Sequence, residues 1–258
     1  MQHQIIDSHV HCGRQFAEPP QAFEDYLAAV GDSGITGAVM MPPVMEVYDR
    51  RDPGFQDNEH WRSRRRRAHQ YLLDLVGGPF EVIPYFFIWN DFAVEQIDPR
   101  HGGIKWHRHP DEPAYRYDDP SCAAAIAEIR RRNMSVLLEE ELDNTLRFLD
   151  ELAVGLRVII PHMGNLNGGY EVLRRLKVWE RPSVYTDTSC SPTPEMIGDY
   201  VERYGHKRIM FGSDFPFSNP ARDLEKVMKV KLSDQARMAI LSGNLRRLLA
   251  DSNRSRTK

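Results

Sequence analysis

No run of roughly 18 apolar residues, the length that crosses a bilayer, occurs anywhere in the chain, so no membrane span is expected. Net charge is scarce as well. The 34 Lys and Arg nearly balance 37 Asp and Glu, leaving −3, without the basic field that draws nucleic acid or an anionic membrane. Cysteine is rarer still: Cys12, Cys122 and Cys190 are odd in number and far apart. That argues against a disulfide framework and for a reducing, cytoplasmic setting. The first apolar run, residues 5–10, begins almost at once and leaves no room for a signal peptide. No internal repeat or break in composition divides the chain, and its 258 residues suit one large domain.

What is present is an alternation. Apolar strand-like runs fall at 5–10, 38–41, 80–89, 103–108, 135–138, 156–160, 183–187 and 208–212. Between them lie segments of helical period, such as 22–33, 121–133, 142–154, 170–178 and 194–204, and further helices follow the last strand. Strands alternating with helix-length crossovers imply a parallel sheet, and eight of them in about 250 residues fit a single α/β domain, a (β/α)8 TIM barrel. The barrel is expected over residues 1–250, with a disordered polar tail at 251–258. Residues 44–59 lack a clear period and read as a long loop over the barrel mouth. The basic cluster of Arg62 and Arg64 to Arg67 reads as the solvated side of a helix, with Trp61, Ala68, Leu72 and Leu75 packed inward. Without interleaved aromatics it is weak support for nucleic acid.

In such a barrel, reactive groups gather at the C-terminal strand ends. His9 and His11 stand at the end of strand one, Lys105 and His107 on strand four, Glu139 on strand five, His162 on strand six and Asp214 on strand eight. Residues two apart on a strand face the same way, which puts Asp7, His9 and His11 on one face. Imidazoles and carboxylates converging from different strands have the composition of a zinc-type site. Glu139 is open to a second reading, because Glu140 and Glu141 follow it and acids favour a helix start; Glu141 would share its face and Glu140 would point away. Asp214 could instead cap a helix, and His107 could be a core histidine. Lys105 could be structural, a substrate anchor or a carboxylated metal bridge, and the anchor ranks first. Arg108 beside Lys105 and His107, with Arg14 past strand one, suggests a positive wall suited to a carboxylate.

The segments Asp7-Ser8-His9-Val10-His11, Gly103-Ile104-Lys105-Trp106-His107, Pro161-His162-Met163-Gly164, Phe211-Gly212-Ser213-Asp214-Phe215-Pro216 and Gly243-Asn244-Leu245-Arg246-Arg247-Leu248-Leu249 occur in this order. Together they resemble the successive motifs of the amidohydrolase superfamily. The similarity is greatest to its amidohydrolase-2 branch, with amino-carboxymuconate-semialdehyde decarboxylase and pyrone-dicarboxylate lactonase. The resemblance implies a distorted (β/α)8 barrel and a divalent metal held by His9, His11 and Asp214. It makes His162 a further ligand or a group that orients water, and places Lys105 and His107 near the substrate. Many relatives end strand five with a metal-binding histidine; here Glu139 stands there, and a carboxylate is a competent zinc or manganese ligand.

The implied cofactor is one or two divalent ions, Zn2+ first, with Mn2+ or Fe2+ as alternatives. The implied activity is hydrolysis of a small anionic amide, cyclic amide or lactone by metal-activated water, with Asp214 as proton shuttle. The alternative is a lyase that decarboxylates or hydrates an unsaturated acid, and a barrel that has lost its chemistry is disfavoured by the intact His9, His11, His162 and Asp214. The expected partner is a small-molecule substrate, with no nucleic acid and no membrane; a homodimer is left open.

Overall fold

A computed structural model describes residues 4–14, 19–190 and 193–254. Eight strands follow one another around the sheet in chain order, every neighbouring pair parallel. They are β1 (Ile5–His11), β2 (Ile35–Met41), β3 (Glu81–Phe87), β4 (Gly103–His107), β5 (Ser135–Glu139), β6 (Val158–Ile160), β7 (Val184–Asp187) and β8 (Ile209–Met210). The helices are α1 (Phe23–Val30), α2 (Val44–Val47), α3 (Glu59–Asp74), α4 (Pro120–Arg131), α5 (Leu142–Arg147), α6 (Tyr170–Arg175), α7 (Pro194–Tyr204), α8 (Pro220–Lys229), α9 (Asp234–Met238) and α10 (Asn244–Arg254). The fold is the expected (β/α)8 barrel. No helix among the described residues is long and apolar enough to cross a membrane.

The residues after β8 return to β1. Ser8 N–H donates to Phe211 O, Asp214 N–H to His9 O and His11 N–H to Phe215 O, each at 2.8 Å, and Val10 bridges Phe215 in parallel. This seam sets the two strand-one histidines beside Asp214, some 200 positions away in the chain.

Alternation along each strand divides the core in two. Ile6, Val39, Met41, Ile83, Tyr85, Leu137, Ile159 and Met210 fill the barrel interior, and Leu245 and Leu248 of α10 pack against them. Their neighbours, among them Val10, Met40, Val136, Leu138, Val158 and Ile160, pack outward with the helices. Interior parity then carries polar groups at the strand ends: Lys105 and His107 continue from Gly103, and Glu139 from Leu137. Gly103 has to be glycine, because a Cβ there would meet Tyr85 Cζ at 2.5 Å.

Four expectations need correction. The β1–β2 register shifts between Asp7 and Val10, and such an irregularity changes which parity faces inward. Asp7 therefore leaves the face of His9 and His11 and bonds Tyr26 Oη (3.1 Å) and Ser213 Oγ (2.5 Å). The supposed loop over 44–59 begins with α2 and delivers Tyr48 and Arg50 to the barrel mouth. Arg65 is not a solvated member of its cluster: it is buried, donating to Asp57 (2.9 Å) and Asp91 (2.6 Å) and to Val47 O (2.8 Å). Finally, α10 runs to Arg254, so the first four residues of the supposed tail are helical, while 255–258 lie outside the described residues.

Candidate metal centre

At the C-terminal end of the barrel the donor atoms of His9, His11, His162 and Asp214 face one another. His9 Nε2 lies 3.4 Å and His11 Nε2 3.3 Å from Asp214 Oδ1, and His162 Nε2 lies 3.9 Å from Asp214 Oδ2. Ligands about 2.1 Å from one tetrahedral ion are separated by roughly 3.4 Å, so these spacings suit donors around a single cation. Glu139 adjoins them, with Oε2 3.6 Å from His162 Nε2. Lys105 Nζ, fully buried, donates to Glu139 Oε2 at 2.8 Å and stands 3.2 Å from His9 Nε2.

Two of the ring nitrogens that face away from this centre are held. His9 Nδ1 is 3.1 Å from Asp187 Oδ2, and His162 Nδ1 is 2.9 Å from Ser189 Oγ. Asp187 also accepts the main-chain N–H of His162 at 2.9 Å and the Ser189 hydroxyl. A proton kept on Nδ1 leaves the Nε2 lone pair pointing inward, the arrangement that orients metal-binding histidines. His11 lacks such a brace: its Nδ1 is buried with no partner among the described residues.

Electrostatics agree. The buried carboxylates Asp187, Asp214 and Glu139 outnumber the one buried ammonium of Lys105 by two charges, which a divalent cation would balance. Burial opposes ionisation of Asp214, yet His162, His9 and His11 hold its carboxyl well below the usual range. Glu139 is likewise held down against burial, by His107 and Lys105 and by hydrogen bonds from His107 and His109. Burial lowers His11 to about 4, so its ring is neutral at neutral pH. Burial also acts to lower His162, but Asp214, Glu139 and Asp187 outweigh it and raise the ring to about 9. The negative field that would hold a proton there equally favours a cation. His162, Cys190 and Asp214 all adopt positive φ (56°, 47° and 62°), a strained backbone for non-glycine residues that concentrates at functional sites.

Among the sequence candidates, His9, His11, Lys105, His107, Glu139, His162 and Asp214 come together. Arg108 does not. Its parity points it out of the barrel, where Nη1 bonds Glu140 (2.9 Å) and Glu141 (2.7 Å). Glu140 points away as expected, whereas Glu141 joins it on Arg108 rather than sharing the face of Glu139. Arg14 is exposed in a separate groove, its guanidinium 4.7 Å above the Tyr71 ring. The positive wall of Arg108 and Arg14 is thus not formed.

Sequence reasoning missed Asp187, His109, Tyr48, Glu112, Arg50 and Cys190. His109 Nε2 is 2.8 Å from Glu139 Oε1; Tyr48 Oη is 3.2 Å from His107 Nδ1 and donates to Glu112 Oε2 at 2.5 Å. Cys190 donates its thiol to Asp214 Oδ2 at 3.4 Å. Asp187, at the end of strand seven, carried the same strand-end signal as the others, and His109 continues the Lys105, His107 parity.

The sequence matches the amidohydrolase family Amidohydro_2 over residues 6–250. The chain belongs to that family. A comparison with curated proteins finds no sequence match. Among solved structures, this amidohydrolase is similar to 5-carboxyvanillate decarboxylase from Sphingomonas paucimobilis (12% identity, TM-score 0.70, 96% of this chain and 99% of that one). It is also similar to a protein designated 2-pyrone-4,6-dicarboxylic acid hydrolase from Pseudomonas putida (16%, 0.65, 97% and 99%). A third is a dihydroxybenzoic acid decarboxylase from Polaromonas with bound manganese and 2-nitroresorcinol (13%, 0.69, 96% and 97%). At these identities the likeness is one of fold. The family is one of metal-dependent enzymes, and the decarboxylase from Polaromonas holds bound manganese.

Proposed function

We propose that the chain is a metal-dependent hydrolase of a small organic molecule bearing a carboxylate, cleaving a C–O or C–N bond as in a lactone, cyclic amide or amide. The observation that carries this reading is the convergence of the His9, His11 and His162 Nε2 atoms on the Asp214 carboxylate. His9, His11, His162 and Asp214 would hold the ion, with Glu139 at its edge; three imidazoles and carboxylate oxygen suit Zn2+ first and Mn2+ or Fe2+ next. When bound, a divalent cation polarises a carbonyl and lowers the pKa of water to about 7.

The chain's own groups supply the rest. Asp214 Oδ2 lies away from the His9 and His11 contacts and is placed to accept a proton from attacking water and return it to the leaving group. Lys105 carries a buried positive charge toward the centre and is the candidate anchor for the substrate carboxylate. His107, stacked edge-on to His11 at 6.3 Å, lines the same side. Phe217, about half exposed and 5.7 Å from the His11 ring, offers an apolar wall to a flat, ring-bearing acid. The free thiols of Cys12, Cys122 and Cys190 suit a reducing compartment.

Decarboxylation is the second reading, favoured by the decarboxylase neighbours with their carboxylic acid names. Turnover in 18O-labelled water by the metal-loaded protein separates the two, with pyrone and other lactones tested beside hydroxybenzoates and unsaturated dicarboxylates. Hydrolysis places one 18O in the product; decarboxylation releases CO2 and puts a solvent proton on carbon. A protein that binds no Zn2+, Mn2+ or Fe2+, or turns over equally well after chelation, overturns both.

A further inference from the structure

The five arginines of α3 fall into two sets. Arg62 and Arg65 pair with Asp57, Arg65 also with Asp91, and Arg66 with Glu59. Arg64 and Arg67 pair with no carboxylate among the described residues. Arg64 lies instead over the Trp61 ring at 5.1 Å, and Arg67 donates to Ser63 Oγ at 2.7 Å. Spaced three apart, these two share a face of the helix. Arg14, past the end of β1, is also without a carboxylate partner among the described residues; its guanidinium is 4.7 Å from the centre of the Tyr71 ring.

Arg14, Arg64 and Arg67 line one groove of about 570 Å3, and none of the residues of the metal centre lines it. Glu46, buried in the groove wall, is the one carboxylate on which all three guanidiniums act, and its burial still raises it above its ordinary value. Asp74, also in the wall, accepts from Gln70 Nε2 at 2.6 Å. Positive charge is therefore in excess here. Aromatic faces and a hydroxyl hold Arg14, Arg64 and Arg67 without cancelling their charge, whereas every other arginine of α3 is neutralised. The open charge is confined to the side of the helix that faces the groove.

We propose that Arg14, Arg64 and Arg67 form a binding site for the phosphate group of a small molecule, separate from the metal centre. A planar carboxylate has two oxygens and is satisfied by a single guanidinium fork, whereas a tetrahedral phosphate offers oxygens to several at once and carries up to two charges. Three guanidiniums contributed by two segments of the chain suit the second. The groove is larger than a phosphate ion and has room for the rest of a small molecule. The site does not depend on the hydrolase reading, and neither stands or falls with the other.

The test is calorimetric titration of the full, metal-loaded chain with inorganic phosphate, at low salt so that the exposed charges are little screened. Saturable binding is expected. Arg64→Gln and Arg67→Gln should each weaken it about fivefold or more, and the double variant should abolish it. Circular dichroism checks the fold of each. Arg66→Gln removes the same charge from the same helix outside the groove and should leave the affinity within about twofold. Glycerol 2-phosphate, a phosphate monoester, should displace the bound phosphate about tenfold more effectively than malonate, a dicarboxylate. Absence of phosphate binding overturns the site, also where a single-stranded RNA oligomer is retained in its place. Binding that persists in the folded double variant lies elsewhere, the metal included, and overturns it as well. An equal loss in Arg66→Gln reduces the effect to overall charge, and equal displacement by malonate replaces phosphate with a carboxylate; either result overturns the proposal.

Discussion

Asp187 holds His9 and His162 at once: its Oδ2 is 3.1 Å from His9 Nδ1, and its Oδ1 accepts the His162 main-chain N–H at 2.9 Å. One carboxylate at the end of β7 therefore fixes the direction of two imidazoles that reach the centre from β1 and from the residues after β6.

Asp187→Asn keeps the shape but removes the charge and can present an amide N–H toward His9 Nδ1, favouring the wrong tautomer. Affinity for Zn2+ or Mn2+ is expected to fall about 10- to 100-fold, as for other outer supports of metal-binding histidines. Competition against a chromophoric chelator measures it; unchanged affinity would show that the brace is idle.

Asp214→Asn retains an oxygen that can face a cation yet cannot take up a proton. At metal concentrations that saturate the variant, kcat is expected to drop about 10²- to 10⁴-fold, with metal content measured on the same sample. Full activity in a metal-replete variant would move the proton-transfer role to another group.

His69 supplies a pH prediction away from the centre. Burial, with His101 and Arg65 nearby, holds its ring well below the ordinary value of 6.5, and its Nε2 accepts the Phe87 N–H at 3.0 Å. Below pH 6.5 the unfolded chain binds a proton at this ring that the folded chain refuses. Stability from this group is therefore complete above pH 6.5 and declines as the pH falls toward the folded value, by about 1.4 kcal/mol per pH unit. His69→Gln can keep an acceptor for Phe87 without titrating. Urea unfolding between pH 7 and 5 should show a flatter decline for the variant than for the wild type, and parallel curves would dismiss the linkage.

Arg65 is the buried member of the arginine cluster, shared between Asp57 and Asp91. Arg65→Met leaves both carboxylates without their cation and is expected to cost about 3–5 kcal/mol, read as a lower urea midpoint at unchanged slope. The same change at Arg66, which is exposed, is expected to stay within about 0.5 kcal/mol.

The order of strands and helices was legible in the sequence because hydrophobic period and turn residues are local properties, and a parallel α/β chain of this length has few ways to bury its strands. The polar strand ends were legible for the same reason. His9, His11, Lys105, Glu139, His162 and Asp214 interrupt apolar runs at positions where a buried polar group is costly without a partner. That reading failed where contacts reach across elements. The parity of β1 past Asp7 depends on a register shift against β2, and the guanidinium of Arg108 was taken by Glu140 and Glu141 across β5.

By itself, then, the sequence determined the barrel and the kinds of donor at its mouth, since both follow from residue chemistry at fixed spacing along the chain. Only the tertiary structure decided which donors meet, which protons they carry and which cations are already paired. Those depend on barrel closure, which sets His9 and His11 against Asp214, and on Asp187, Tyr48, Glu112 and Arg50, whose partners lie on other strands and loops.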